Sequence, residues 1–299
     1  MGTTGLRRRY PAFAAGLAAL ALTLGFTAAP AGAAPPRDVD YVALGDSYTA
    51  GTGAGGAERP AGVDCWQNPG GYVDLAAKVG SVNLTGNAAC HGAVLSTASP
   101  TYDPVLYTPT VQEQLALLAG SGALSTDTEL VSITAGANDL GFAYVLGVCA
   151  FADEATCRAT VSAATSQAAL TFLKSSLIQT YDAIQAAAPN AKVVVLGYPL
   201  LFDPASQFAP IPVANQVLMN EATLTVNAAI AEAAALAGVQ YVDVTKRFAG
   251  HEVNSSDPWL QLDLANFAAD YNFHPTPDGH RAYAAALLAA ARPGVLARP

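Results

Sequence analysis

Ser47 follows an apolar run, VALG at 42–45, and opens onto the glycine-rich TAGTGAGG at 49–56. A serine at a strand's end can be a nucleophile, because the strand fixes its backbone while the loop leaves its oxygen free. The same position also suits a helix N-cap, the commoner use of a lone serine. A nucleophilic hydroxyl needs a base to take its proton, and it needs donors for the oxyanion formed when it attacks a carbonyl. The chain offers four histidines as base: His91, His251, His274 and His280. Thr276, Pro277 and Asp278 read as a helix start with threonine as cap and proline at the first helical position. That places His280 inside the first turn, as a structural residue, and leaves His274 in the loop before it as the candidate base. His91, beside Gly92, and His251 are spare candidates. Asn138 in GAND at 136–139 can make a turn with Asp139 or present its amide to an oxyanion. Gly92 can be plain loop or can offer an unobstructed backbone N–H.

These residues must be carried by elements, and five β-branched runs read as strands: Tyr41 to Leu44, Val82 to Leu84, Leu130 to Thr134, Lys192 to Leu196 and Val239 to Val244. Between and after them, Gly71 to Val79, Val111 to Leu118, Val161 to Ala188, Ala214 to Ala237 and Pro277 to Ala291 read as helices. Alternation of near-continuous apolar strands with helices predicts a parallel sheet covered on both faces, an α/β fold. In such sheets ligands bind beyond the carboxyl ends of the strands, where strand order reverses. Ser47, Gly92, Asn138 and His274 all fall in loops at that edge. Gly51 to Gly56 formally matches a dinucleotide G-x-G-x-x-G, but it neither follows a strand directly nor opens a helix.

Arg7, Arg8 and Arg9, an apolar stretch to Ala29 and the small residues Ala31-Gly32-Ala33 form an expected secretory signal over 1–33, suiting either a general or a twin-arginine export route. The expected mature chain, 34–299, is one domain of 266 residues with 11 basic and 23 acidic side chains, a formal charge of −12. Such a surface repels phosphate backbones, so no nucleic-acid partner is expected, and no later run is long enough for a membrane span. Cys65, Cys90, Cys149 and Cys157 all lie in the exported part, an even number that fits two disulfides. Three pairings are open; the short loops favour Cys65 with Cys90 and Cys149 with Cys157. Neither C-x-x-C nor H-E-x-x-H occurs, so no zinc site is expected.

GDSY at 45–48, Gly92 within NAACHGA, GAND at 136–139 and NFHPTPDGH at 272–280 stand in an order that resembles the four blocks of the SGNH, or GDSL, hydrolases, in particular the secreted actinobacterial esterases and lipases. VSITAGANDLGF, VVVLGYP and FAGHE…DPWL agree, so the resemblance spans nearly the whole mature chain. It implies a three-layer α/β/α sandwich on a flavodoxin-like five-stranded sheet of order 2-1-3-4-5. It implies Ser47 as nucleophile, His274 as base, and the Ser47 N–H, Gly92 and Asn138 as the oxyanion hole. The reaction would be ester hydrolysis through an acyl-enzyme, without metal or cofactor, by a secreted monomer acting on a small-molecule or lipid ester. A phospholipase, a carbohydrate acetylesterase or a non-catalytic binding protein on the same fold are the alternatives.

Three departures from the family's pattern stand out. Tyr271 occupies the place of the usual third triad aspartate, leaving the carbonyl of Asn272 or the side chain of Asp270 to orient His274. His91 replaces a usual serine, and Val253-Asn254 stands where many relatives have a further cysteine. The apolar segment Leu140 to Ala152 can line an acyl pocket or simply fill the core, and Phe142 and Val145 are the positions expected to tune acyl length. An unperturbed histidine base would make the rate climb with pH through roughly 6 to 7.

Overall fold

In the computed structural model, residues 1–2, 38–55, 59–206 and 208–297 are described, and most of the expected leader lies outside them. Internal contacts divide the chain into Met1–Pro35 and Pro36–Pro299, and the fold belongs to the second unit. Its strands are β1 (Val39–Gly45), β2 (Val82–Asn87), β3 (Leu130–Thr134), β4 (Lys192–Leu196) and β5 (Gln240–Val242). They form one parallel sheet in the order β2-β1-β3-β4-β5. The helices are α1 (Tyr72–Ala77), α2 (Val111–Gly120), α3 (Phe142–Phe151), α4 (Glu154–Ala164), α5 (Gln167–Ala187), α6 (Val213–Leu236), α7 (Thr245–Phe248), α8 (Pro277–Ala291) and α9 (Pro293–Leu296). α1 packs on α8, and α5 packs on α6, so the sheet is covered on both faces. Every residue of β3 is buried, which explains its uninterrupted LVSIT. Among the described residues no helix is long and apolar enough to cross a membrane.

The single helix expected over Val161 to Ala188 is two. The chain breaks at Thr165 and Ser166, and the Ser166 hydroxyl caps α5 by accepting from the Ala169 N–H. β5 ends earlier than expected because Asp243 turns the chain into α7, its carboxylate accepting from the Thr245 N–H at 2.8 Å. The disulfides join Cys65 to Cys90 and Cys149 to Cys157. At Val253-Asn254, the Asn254 amide brackets the Asp203 backbone instead, accepting from its N–H and donating to its carbonyl, each at 2.8 Å.

Two features hold the carboxyl edge of the sheet in shape. β2 stops pairing with β1 at Ala43, and beyond that the buried Gln114 side chain takes over the role of a neighbouring strand. Its Oε1 accepts from the Gly45 N–H at 2.8 Å and its Nε2 donates to the Gly45 carbonyl at 3.0 Å. Gly45 itself has φ +134°, and a Cβ there would strike the Thr134 carbonyl oxygen, so only glycine lets the chain leave β1 this close to β3.

Candidate active site

The turn after β1 is built on Asp46, which is buried. Its Oδ1 accepts from the Tyr48 N–H at 3.0 Å and the Thr134 hydroxyl at 2.6 Å, and its Oδ2 accepts from the Tyr198 hydroxyl at 2.5 Å. Burial raises this carboxyl to about 6 in spite of those bonds. The effect is to pin the backbone on both sides of Ser47 to β3 and to the loop after β4. Neither Asp46 nor Tyr198 stood out in the sequence; the clue was the Asx-turn potential of an aspartate directly before the serine.

The opposite wall comes from the loop before α8. Thr276 caps that helix, accepting from the Gly279 N–H, with Pro277 at its start, and His274 stays outside it. His280, inside the helix, is fully buried; its Nε2 donates to the Thr52 carbonyl at 2.9 Å and its Nδ1 accepts from the Tyr72 N–H at 3.2 Å. It therefore ties α8 to the glycine-rich loop and takes no place in the cleft. The same loop shows turns rather than a helix start, and Gln261 donates to the Gly53 carbonyl at 2.6 Å.

Ser47 Oγ lies 2.7 Å from His274 Nε2, and His274 Nδ1 lies 2.9 Å from the Asn272 carbonyl oxygen. A carbonyl only accepts, so Nδ1 carries the hydrogen and Nε2 turns its lone pair to the serine. That two-residue return from His274 to Asn272 bends the chain at Phe273, a non-glycine residue at φ +60°. Tyr48 helps to hold the bend, its hydroxyl donating to the Phe273 carbonyl at 2.7 Å. The Asn272 side chain is buried and fixes the rest of the loop, accepting from the Asp263 N–H and donating to the Asn266 and Phe267 carbonyls.

Asp270, the alternative orienter, does not reach the His274 Nδ1. It turns to His91, with Oδ1 3.5 Å from Nε2, and accepts from the Arg59 N–H at 2.9 Å. The hydrogen bond with His91 is the main reason its carboxyl is held down to about 2. The other His91 nitrogen meets the Thr52 hydroxyl at 2.9 Å, and the ring lies 5.5 Å from that of His274. His91 is thus a second imidazole on the cleft rim. His251 lies apart, stacked on Trp259 with ring centroids at 3.6 Å.

Facing the Ser47–His274 pair are Gly92 and Asn138. Asn138, which lines the cleft, has its Nδ2 donating one hydrogen to the Ala93 carbonyl at 2.9 Å, which fixes the amide and leaves a second hydrogen to donate. Gly92, at φ +79°, lines the same cleft and has no side chain to cover its N–H. Among the described residues, neither the Ser47 nor the Gly92 N–H has an intramolecular acceptor.

A family model described as GDSL-like lipase/acylhydrolase matches residues 43–282, a span that contains every one of these groups. The chain belongs to that family. Membership makes it a carboxylic-ester hydrolase. It is 35% identical over 271 residues to a lipase of Streptomyces rimosus, covering 89% of this chain and 93% of that protein. Among solved structures, an extracellular lipase of Streptomyces rimosus matches at TM-score 0.70 and 34% identity, over 84% of this chain and 99% of that one. A phospholipase A1 of Streptomyces albidoflavus NA297 matches at TM-score 0.69 and 34% identity, over 83% and 98%.

In this member of the family the cleft measures about 570 Å³. Its polar groups include Ser47, His91, Asn138, Asp270 and His274, and most of its lining surface is apolar, contributed by groups that include Phe142, Leu146, Phe151, Leu201 and Phe273. Segment 140–152, expected either to line a pocket or to fill the core, holds the end of a short 3-10 turn (Asn138–Leu140) followed by α3, and its residues contribute one wall. Val145 is not in that wall. It is buried on the other side of α3, toward the packing with α4, so of the two expected tuning positions only Phe142 faces the cleft.

Burial is the first cause lowering the His274 imidazole, toward about 3, and the charge that His91 carries when protonated is the second; the Asn272 carbonyl and the Asp270 carboxylate oppose both. The ring is partly solvated from the cleft, and the balance of these effects keeps the imidazole neutral below 6.5. The acid limb of the rate is therefore displaced downward from the window that an unperturbed histidine predicts.

Proposed function

We propose that the protein cleaves acyl esters by a Ser47–His274 acyl-enzyme mechanism. His274 Nε2 takes the Ser47 proton as Oγ attacks the ester carbonyl carbon. The oxyanion accepts hydrogen bonds from the Ser47 N–H, the Gly92 N–H and the Asn138 amide. Collapse expels the alcohol, which leaves with the proton from His274; a water, deprotonated by the same nitrogen, then attacks the acyl carbon and releases the acid. The Asn272 carbonyl does the work of the third triad member by holding the tautomer. The observation that carries this reading is the 2.7 Å contact between Ser47 Oγ and His274 Nε2, with Nδ1 engaged behind it.

A fluorophosphonate probe tests it directly. Labelling should map to Ser47 and be lost in His274→Ala; labelling elsewhere, or none, would overturn the assignment and favour a binding protein on this fold. The apolar cleft supports a fatty acyl ester rather than an acetylated sugar. A phospholipid is the second reading, favoured by the 34% identity to a phospholipase A1, and release of fatty acid from phosphatidylcholine vesicles separates the two. The leader over 1–33 and the extracellular setting of one relative support export of the mature chain.

The rim histidine gives a pH test. A protonated His91 disfavours a second positive charge on His274, and it also neutralises Asp270. His91→Ser should therefore raise the His274 pKa and move the acid limb of kcat/KM upward, toward 6.5, for a neutral ester. An unmoved or lowered limb in the pH–rate profile would remove His91 from the electrostatics of the base.

A further inference from the structure

The residues of α3 that face the cleft are Phe142, Ala143, Leu146, Gly147 and Phe151, a single helical stripe. It begins four residues past Asn138 and runs to the helix end, about 13 Å at 1.5 Å per residue. The cleft thus follows the helix axis away from the oxyanion donors. At its far end Phe151 meets Phe267 from the opposite loop, edge to face, with ring centroids 4.9 Å apart. Phe267 is backed in turn by Phe273, and Phe273 by Phe202 in the core. Phe151 is otherwise 78% exposed, so this contact is its main anchorage.

Gly147 lies midway along the stripe. A glycine inside a helix lowers its stability relative to alanine, and no backbone collision demands one here: a Cβ at this position would meet no atom within 4 Å. Gly147 is itself part of the cleft lining, so bulk added there has the cleft beside it. We propose that Gly147 keeps the middle of an acyl channel open and that the Phe151–Phe267 pair closes its end, so that together they set the acyl length accepted. An extended chain advances about 1.2 Å per bond, so the channel takes roughly ten carbons, a medium-chain fatty acyl group. This inference rests on the ester-hydrolase reading and names its substrate class.

The test is kcat/KM for p-nitrophenyl esters from acetate to palmitate, on the wild-type protein and three variants. Wild type should peak at about ten carbons. In Gly147→Leu the decanoate-to-acetate ratio should fall by about tenfold or more, because added bulk displaces several methylenes from apolar contact. Phe151→Ala should raise palmitate relative to decanoate by about fivefold, at one to two recovered methylenes. Val148→Leu, which adds bulk on the same helix outside the cleft lining, should keep the wild-type ratio. An unchanged profile in both Gly147→Leu and Phe151→Ala, or an equal shift in Val148→Leu, would overturn the channel while leaving ester hydrolysis standing. Absence of any ester cleavage by the wild-type protein would instead bring down the hydrolase reading and the channel with it.

Discussion

Replacing Ser47 by alanine is expected to lower kcat by roughly five to six orders of magnitude, as removal of the nucleophile does in other serine hydrolases. No alternative hydroxyl occupies its place: Thr49 is engaged with Tyr72 and Thr134, and Thr52 with His91. His274→Ala should fall to a similar level, because without Nε2 the hydroxyl keeps its proton. The diagnostic result is the pair. Two residues acting as one unit are not additive, so Ser47→Ala/His274→Ala should be no slower than either single variant. The change removes one oxygen at the cleft wall, bonded to His274 alone, and leaves the Asp46 network intact, so thermal unfolding should stay within a few degrees of the wild-type midpoint. Steady-state kinetics with a short p-nitrophenyl ester and a melting curve suffice. Activity within about tenfold of wild type in Ser47→Ala would refute the mechanism.

Asn138→Ala should cost about 10²- to 10³-fold in kcat with little change in KM. The amide is aimed by the Ala93 carbonyl and has one hydrogen left for an acceptor that exists only once the tetrahedral centre forms. A donor used only in the transition state alters turnover rather than ground-state binding. The stability cost should be small, about 1 kcal/mol for one lost hydrogen bond. If KM rose instead, with kcat preserved, Asn138 would be a substrate contact and the oxyanion would rest on the two backbone N–H groups alone.

The parts of the fold visible in the sequence are those where one local force decides. β3 and β4 stand out because strands buried on both faces are dense in apolar and β-branched residues, and α8 does because threonine, proline and aspartate specify its first turn. α3 escaped as a helix because it is apolar on nearly every side: it faces the cleft on one side and α4 and α6 on others, so no polar stripe marks its period. The division of α4 from α5 rests on one serine cap inside alanine-rich text. In the site, residues whose chemistry lies in their side chains, Ser47, Asn138 and His274, were legible. The partner of His274 Nδ1 was ambiguous because a backbone carbonyl has no letter of its own, and Asp270 is taken by a histidine 179 positions earlier, a pairing that only the folded chain reveals.

Ser47 and His274 are 227 positions apart, and the loop bearing His274 is fastened to the turn and loop after β1 by Tyr48 and His280 and, through α8, to the loop after β4 by the Tyr283 hydroxyl on the Gly197 carbonyl. On the Ser47–His274 mechanism, acyl cleavage is consequently absent until the segment that carries His274 docks against β1 and its following turn. A copy in which that segment has yet to dock carries a hydroxyl with no imidazole beside it, and so spares any ester it meets.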